Sequence, residues 1–210
     1  MRLWQYRFST NVERVALALA HKGLEAEPVV IDPADRSSVR DLTGQDLVPV
    51  LEHDGEVISD SRRILAHLEE RFPDAPLYPS DPARREETGV LLDWFDLVWK
   101  RAPNRLADAI AAGRDPAESE LAGWADELRG SLDRFEALLA GRDFLLSDSL
   151  GVADVAVFPF LRYGVRLDNE DEEGFHRILV EHLRPERQHP GLRAWIARCD
   201  ELPRTGLSQS

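Results

Sequence analysis

The segment that begins at Asp60 joins an acidic residue and a serine to the start of an amphipathic helix pattern, in which Ile64, Leu65 and Leu68 share one face. A helix N-terminus has unpaired backbone N–H groups and a partial positive charge, so it suits a carboxylate, with Ser61 as its N-cap. The Asp60 carboxylate suits an ammonium group. Together they predict a site for the α-amino acid end of a small molecule. A capped helix with an acidic neighbour and no ligand is the alternative.

A second candidate is Val48-Pro49, which lies in a short apolar run followed by the hairpin signal Asp54-Gly55. Proline inside such a run belongs at a sheet edge or a strand start. If the bond between Val48 and Pro49 is cis, the backbone N–H and C=O of Val48 turn outward and can pair with an extended peptide ligand. An ordinary edge-strand proline is the alternative.

The third candidate lies near the N-terminus, where a strand-like run ends at Tyr6 and a helical pattern begins a few residues later. Ser9, Thr10 and Asn11 stand at this junction, and each of them can serve as the helix N-cap. A hydroxyl between a strand end and a helix N-terminus is also well placed to donate a hydrogen bond to a thiolate. The phenol of Tyr6 is an alternative donor to the same position.

The elements that must position these residues follow a βαβ pattern and then a series of helices. Four prolines lie within residues 72–82, which marks a linker, because neither a helix nor a central strand tolerates that spacing. We predict strands over 2–6, 28–31, 49–53 and 56–58, and helices near 11–22, 37–42, 61–71, 82–112, 117–140, 152–166, 172–183 and 190–201. The sequence therefore predicts an α/β domain followed by an all-α domain.

Composition limits the function classes. The chain has 210 residues and a formal net charge of −13, which argues against nucleic acid or an anionic membrane as a partner. No apolar run is long enough to span a bilayer, and the first residues lack the apolar region of a signal peptide, so we expect a cytoplasmic protein. Cys199 is the only cysteine, which excludes an internal disulfide. The six histidines show no metal-ligand spacing, so we expect no metal site.

Taken in chain order, these segments resemble the glutathione S-transferase superfamily over nearly the whole sequence. The resemblance implies a thioredoxin-like domain over residues 1–76, a linker over 77–82 and an all-helical substrate-binding domain over 83–210. It also implies a cytoplasmic homodimer with a role in detoxification. Its co-substrate would be glutathione or a similar low-molecular-weight thiol, which it attaches to an electrophilic small molecule.

The resemblance also assigns roles to the three candidate segments. The spacing from Ser9 to Lys22-Gly23 is similar to that of the serine-type zeta class, whose Ser-Ser-Cys motif falls on Ser9-Thr10-Asn11. Asn11 therefore replaces the zeta cysteine, which weakens the case for zeta-type isomerase activity and leaves the serine role open. The implied catalytic residue is Ser9, with Tyr6 as the alternative. The implied thiol-binding residues are Thr10, Asn11, Val48, Pro49, Asp60 and Ser61.

Two further features belong to the predicted helical domain. Trp94 and Arg101, together with Arg162 and Tyr163, are candidates to line an electrophile pocket, although core packing of the aromatic rings and solvation of the arginines are the alternatives. Gly151 stands at the cap of a family helix motif that normally has serine or threonine there. Because glycine has no side chain to share the capping, Asp154 is expected to bond backbone N–H groups by itself.

Two other function classes compete with transfer. The first is a thiol-binding or protein-interaction module that keeps the fold without turnover. Separate measurements of thiol binding and of conjugation would distinguish this module from an enzyme. The second is a thiol–disulfide oxidoreductase, which is disfavoured because no cysteine lies at the strand–helix junction around Ser9.

Overall fold

The computed structural model describes residues 1–114, 117–185 and 188–207, and it divides into two compact units. The first unit contains Met1–Tyr78 and the segment that starts at Leu202, and the second contains Pro79–Glu201. The division between Tyr78 and Pro79 lies inside the predicted linker 77–82. The segment 202–207 groups with the first unit, whereas the sequence placed it in the helical domain 83–210.

The first unit is a four-stranded mixed sheet in the order β2-β1-β3-β4, combined with three helices. β1 pairs with β2 in parallel, and β3 is antiparallel to both β1 and β4. This arrangement confirms the thioredoxin-like prediction. The elements are β1 (Arg2–Gln5), α1 (Thr10–His21), β2 (Glu27–Val30), α2 (Ser37–Thr43), β3 (Val50–His53), β4 (Glu56–Ser59) and α3 (Ser61–Arg71).

The core of this unit forms where the apolar faces of α1 and α3 meet the central strands. Leu3 on β1 and Leu51 on β3 are fully buried, as are Leu19 on α1 and Ile64 and Leu68 on α3. Helical spacing in α1 and α3 places these side chains on one face of each helix. The packing fixes where both helices begin relative to the sheet.

The C-terminal segment returns to the first unit through backbone and side-chain contacts. The Thr205 N–H donates to the Ala16 carbonyl at 3.1 Å. The Arg204 guanidinium donates twice to Glu13 Oε1, at 3.1 and 2.9 Å, and the Gln5 side chain donates to the Gly206 carbonyl. These partners are far apart in sequence, which is why local patterns did not place the segment here.

A partly buried ion pair connects the start of the linker to the first unit. Lys22 Nζ lies 2.8 Å from Glu69 Oε2, and the Lys22 side chain is fully buried. The same ammonium donates to the Phe72 and Ala75 carbonyls at 2.8 and 3.2 Å, while the Glu69 carboxylate accepts from the Leu77 N–H at 3.1 Å. The pair therefore satisfies backbone groups on both sides of the turn that ends α3.

The second unit is all-helical within the described residues, and its first long segment departs from the prediction. The predicted helix 82–112 is interrupted by a π-helical turn at Phe95–Trp99, where the Lys100 N–H donates to the Phe95 carbonyl at 3.1 Å. This wider turn lets the Phe95 and Trp99 rings stack with centroids 4.6 Å apart. The elements are α4 (Pro82–Trp94), the π turn, α5 (Arg101–Ala111), α6 (Glu118–Leu138), α7 (Val152–Leu161), a 3₁₀ turn (Arg162–Gly164), α8 (Gly174–His182) and α9 (Pro190–Asp200).

Asp154 organises the start of α7 as the sequence predicted. Its carboxylate accepts from the Gly151 and Leu145 N–H groups at 2.9 and 2.7 Å, and from the Trp195 indole N–H at 2.8 Å. Burial raises the pKa of Asp154 to about 6, while the three N–H donors act in the opposite direction by stabilising the carboxylate. The role of Asp154 is therefore in folding. No helix among the described residues combines the length and apolar character needed to cross a bilayer.

Candidate functional site

One end of the sheet brings the three candidate segments together. Trp4 on β1 lies opposite Val50 on β3, and Val50 lies opposite Ser59 on β4. The chain that leaves β1, the chain that enters β3 and the chain that leaves β4 therefore lie side by side. Because α1 and α3 follow β1 and β4, their N-termini lie at this end and give it a positive potential.

Val48 presents a backbone edge at this end of the sheet. The Val48–Pro49 peptide bond is cis. Within the described ranges, neither the N–H nor the C=O of Val48 has a hydrogen-bond partner. The Gln45 side chain holds the preceding residue, because its amide accepts from the Leu47 N–H and donates to the Leu47 carbonyl, the latter at 2.9 Å. A short loop is thus fixed with the backbone of Val48 available to an extended ligand.

Asp60, and not Ser61, caps α3, so the sequence prediction for the cap was wrong. Asp60 Oδ1 accepts from the Arg62 and Arg63 N–H groups at 2.9 and 3.2 Å. Its backbone has φ 76° and ψ 124°, a left-handed conformation that is rare for a residue with a Cβ and that sequence patterns do not reveal. The residue is exposed, and among the described residues Oδ2 has no partner, so this oxygen can face a ligand ammonium.

Ser61 lies between two side chains of α1. Its Oγ accepts from Arg14 Nη1 at 3.2 Å and donates to Asn11 Oδ1 at 3.5 Å. Arg14 is 1% exposed, so its positive charge is held behind the hydroxyl in a site of low polarity. In the part of the chain that the structure describes, the Ser61 backbone N–H has no acceptor. Because the Ser61 hydroxyl already donates to Asn11, Ser61 offers one free donor to a carboxylate, its backbone N–H, with the Arg14 cation close to its side chain.

Arg14 is the site residue whose role the sequence analysis missed. The available signal was an arginine followed by the apolar run Val15-Ala16-Leu17-Ala18-Leu19 in a predicted helix. Such a residue is buried only when its guanidinium is satisfied by polar groups. Its contact with Ser61, 47 residues away, could come only from the packing of α1 against α3.

Ser9 is the N-cap of α1, and its Oγ accepts from the Val12 N–H at 3.4 Å. The side chain is nearly buried, and its hydroxyl proton has no acceptor among the described residues. That proton can therefore be donated to a ligand. Thr10 is buried as the first residue of α1, and the Arg36 guanidinium lies over the Tyr6 ring at 5.3 Å from its centroid.

Two of the four residues predicted to line an electrophile pocket line one cavity. Trp94 and Arg101 line the same cavity, of about 350 Å³, in the helical unit. Arg162 and Tyr163 are not among its lining residues. Tyr163 is buried, donates its hydroxyl to Asp171 Oδ2 at 2.9 Å and stacks on the His176 ring at 4.2 Å.

A pair of histidines meets in the first unit despite their separation in sequence. His53 Nδ1 and His67 Nε2 are 2.9 Å apart, a contact between β3 and α3. Burial, followed by the nearby His53, lowers the pKa of His67. Across the described ranges, no group of three or more histidine, cysteine, aspartate or glutamate side chains is arranged to hold a metal ion.

Comparison with known proteins identifies the family to which this fold belongs. Two family models match, one described as "Glutathione S-transferase, N-terminal domain" over residues 3–76 and one as "Glutathione S-transferase, C-terminal domain" over residues 118–198. A maleylacetoacetate isomerase from Pseudomonas aeruginosa is 34% identical over 182 residues, covering 80% of this chain and 85% of the relative. The chain belongs to the glutathione S-transferase superfamily. It is therefore an enzyme of the glutathione transferase type.

Further matches extend over nearly the full length of this transferase. Glutathione transferase omega-1 from Caenorhabditis elegans is 27% identical, covering 94% of this chain and 76% of the relative. The crystal structure of a glutathione S-transferase from Rhodospirillum rubrum superposes with a TM-score of 0.71 at 25% identity, covering 95% of this chain and 87% of the other. A zeta-class maleyl pyruvate isomerase shares the fold, with a TM-score of 0.72 at 23% identity, covering 96% of this chain and 93% of the other.

Proposed function

We propose that this chain binds glutathione, or a closely similar thiol, at the sheet end described above and transfers it to an electrophilic small molecule. The observation that carries the proposal is the group of unpartnered polar atoms on Val48, Asp60 and Ser61. They are the backbone N–H and C=O of Val48, the Oδ2 atom of Asp60 and the backbone N–H of Ser61, which can donate to a carboxylate. Peptide-like ligands with an α-amino acid end need this combination.

Each part of the thiol has a matching group in this proposal. The γ-glutamyl ammonium pairs with Asp60 Oδ2, and its α-carboxylate accepts from the Ser61 N–H, with the Arg14 guanidinium near the Ser61 side chain. The cysteinyl residue pairs with the backbone of Val48. Its sulfur then approaches Ser9, whose hydroxyl donates to the thiolate, while Thr10 and Asn11 complete the wall formed by the first turn of α1.

The required chemistry is mainly the formation of a thiolate. A free thiol has a pKa near 8.5, and lowering it by two units needs about 2.7 kcal/mol of preferential stabilisation of the anion. One hydrogen bond to a charged acceptor contributes roughly 1.5–3 kcal/mol, and a helix N-terminus adds about 0.3–1 kcal/mol. The stabilisation that the Ser9 hydroxyl and the N-terminus of α1 supply together therefore matches the free energy needed to form the thiolate.

The transfer step uses the sulfur electron pair. The thiol loses its proton to solvent, and the sulfur forms a bond to the electrophilic carbon. In a substitution the leaving group departs with the electrons of its bond, and in an addition the product carbanion takes a proton. We retain Trp94 and Arg101 as residues that contact the electrophile. The hydroxyl of Tyr163 is not assigned a contact with the electrophile, because it already donates its hydrogen bond to Asp171.

Isomerisation is the second candidate, because a maleylacetoacetate isomerase is 34% identical to this chain. In that reaction the thiolate adds to a conjugated double bond, the resulting single bond rotates, and elimination regenerates the thiol. Asn11 replaces the cysteine of the zeta-class motif, so the case for this chemistry rests on Ser9. Transfer consumes the thiol and isomerisation does not, so thiol consumption separates the two reactions. Binding without either reaction would favour a non-catalytic module.

Ser9 is tested by titrating the bound thiol in variants. Ser9→Ala should leave thiol affinity within a few-fold, raise the pKa of the bound thiol and lower turnover about 10–100-fold, since one pKa unit is about 1.4 kcal/mol. Ser9→Gly should behave alike with a smaller loss of stability, because glycine is an acceptable N-cap. Tyr6→Phe should change little. A pKa that moves in Tyr6→Phe and stays in Ser9→Ala would assign the role to Tyr6.

A further inference from the structure

The cavity in the helical unit combines aromatic walls with an excess of positive charge. It is an open cavity between α4, the π turn, α5 and α6, and its lining includes three tryptophans, Trp94, Trp99 and Trp124. The lining also holds three arginines, Arg101, Arg105 and Arg134, against one carboxylate, that of Glu127, which leaves a local charge of +2. The whole chain carries −13. A positive cavity on a strongly acidic protein selects anions from solution.

Two of these arginines are available to a ligand. Among the described residues, neither Arg101 nor Arg105 forms an ion pair or a hydrogen bond through its side chain. Arg129, on α6, shows the contrasting behaviour, because its guanidinium pairs with Asp126 at 2.6 Å. Arg134 lies over the Trp94 ring at 5.7 Å from its centroid. The cavity therefore offers planar guanidinium groups that can pair with a carboxylate.

Burial and hydrogen bonds fix the position of the Trp99 ring in the cavity wall. Trp99 is 5% exposed, and its indole N–H donates to Ser131 Oγ at 2.8 Å. Ser131 in turn donates to the Leu128 carbonyl at 2.6 Å, which fixes the floor of the cavity. Trp124 is partly exposed and its ring can contact a ligand, whereas Trp94, also partly exposed, already has Arg134 over its ring and Phe135 beside it. Rigid, flat apolar surfaces favour a planar ring that stacks against them.

The size of the cavity restricts the ligand further. Its volume of about 350 Å³ lies near the lower end of small-molecule sites, which span about 300–1,000 Å³. We propose that this cavity binds a planar aromatic carboxylate of one or two rings, and that the electrophile of the transfer reaction belongs to this class. The assignment of the electrophile rests on the proposed function. The binding of the carboxylate does not depend on it.

The binding test uses an unreactive probe and no thiol. Tryptophan fluorescence of the full chain is titrated with 2-naphthoate and with its neutral isostere 2-naphthamide. We expect saturable quenching, with the acid binding about tenfold more tightly than the amide and the difference shrinking at high salt. Trp124→Phe should reduce the quenching amplitude. Equal affinity for acid and amide, or no saturable quenching, would overturn the proposal.

Arginine variants locate the bound carboxylate. Arg101→Gln and Arg105→Gln should each weaken 2-naphthoate binding about three- to tenfold and leave 2-naphthamide unchanged. The matched control is Arg193→Gln, which removes an exposed arginine of α9 outside the cavity and should leave both affinities within twofold. If Arg101→Gln and Arg105→Gln behave like this control, the probe binds elsewhere and the inference fails.

A kinetic comparison separates this inference from the proposed function. The electrophiles are 4-chloro-3-nitrobenzoate and 4-chloro-3-nitrobenzamide. In both, the thiol sulfur bonds to the carbon that carries chlorine, and chloride leaves with the electron pair of the broken bond. The acid-to-amide ratio of kcat/KM should fall about three- to tenfold in Arg105→Gln, with glutathione affinity unchanged. If neither compound reacts while 2-naphthoate still quenches, the site stands and transferase activity fails. Turnover without quenching, and with no dependence on Arg105, would overturn the site and leave the transferase function intact.

Discussion

Asp60 links stability and binding in a way that three substitutions can separate. Its carboxylate caps α3 through the Arg62 and Arg63 N–H groups, at 2.9 and 3.2 Å, while its backbone occupies φ 76°. A residue with a Cβ in such a conformation is strained by about 1–3 kcal/mol. The same side chain is proposed to hold the ligand ammonium. In this proposal, a residue with a costly backbone conformation is kept at position 60 because its carboxylate binds the ligand.

Asp60→Gly should leave the free energy of unfolding nearly unchanged or raise it. Glycine removes about 1–3 kcal/mol of backbone strain, which stabilises the folded protein. Two smaller effects destabilise it: the greater entropy of the unfolded chain costs about 0.4–1 kcal/mol, and the weaker helix cap costs a few tenths of a kcal/mol. Asp60→Ala should destabilise by about 0.5–2 kcal/mol or more, because it loses the cap and keeps the strain. For a chain of 210 residues, each kcal/mol shifts Tm by about 2–4 °C.

Asp60→Asn is the matched control, because asparagine caps helices as well as aspartate and tolerates positive φ. Its stability should stay within about 0.5 kcal/mol of the parent. It nevertheless loses the negative charge, so glutathione affinity should fall about 10–100-fold, the value of a hydrogen bond between charged groups. The glycine and alanine variants should lose at least as much affinity.

The assays are thermal unfolding, which ranks the four proteins by stability, and calorimetric titration with glutathione, which ranks them by affinity. An Asp60→Gly variant that is less stable than Asp60→Ala would refute the argument from backbone strain. Unchanged affinity in a folded Asp60→Asn variant would refute the pairing of Asp60 with the ammonium. The two results are independent, so either part of the reasoning can fail alone.

Three further predictions concern the rest of the chain. Lys22→Met should lower the free energy of unfolding by about 1–3 kcal/mol, because it leaves the partly buried Glu69 carboxylate without its cation. Thermal unfolding of Lys22→Met/Glu69→Gln should show partial recovery rather than a further loss. Burial lowers the pKa of His176 despite the nearby Asp171 carboxylate, so near and below pH 6.5 the unfolded chain binds more protons than the folded protein. The free energy of unfolding, measured with urea, should therefore fall as the pH is lowered from 7.5 to 5.5. The same profile should be flatter in His176→Gln. An equal slope in both proteins would contradict this assignment. Finally, we expect a symmetric homodimer in which the first unit of each chain packs against the helical unit of the other, and light scattering that returned only the 23.8 kDa monomer at micromolar concentration would refute it.

Local patterns in the sequence were enough to predict most helices and strands and the positions of the candidate segments. Helical spacing of apolar residues located α1 and α3, and the Asp54-Gly55 signal located the hairpin between β3 and β4. The segment 72–82, rich in proline, located the region in which the two units divide. These features depend on residues close together in the chain, so their physical causes can be read from the sequence.

The tertiary structure decided which polar groups lie together at the candidate site. Asp60 replaced Ser61 as the cap because the path from β4 into α3 imposes a positive φ, a property of the packed chain and not of the residue type. Arg14 reached Ser61 only through the packing of two helices.

Two contacts outside the site arose in the same way. Arg204 reached Glu13 from the other end of the sequence, and His53 met His67 across a strand and a helix. Within α4–α5, the π turn at Phe95–Trp99 escaped prediction because it changes the phase of the apolar face by a single residue. Such contacts join side chains from separate elements, and they exist only once the core has fixed how those elements pack.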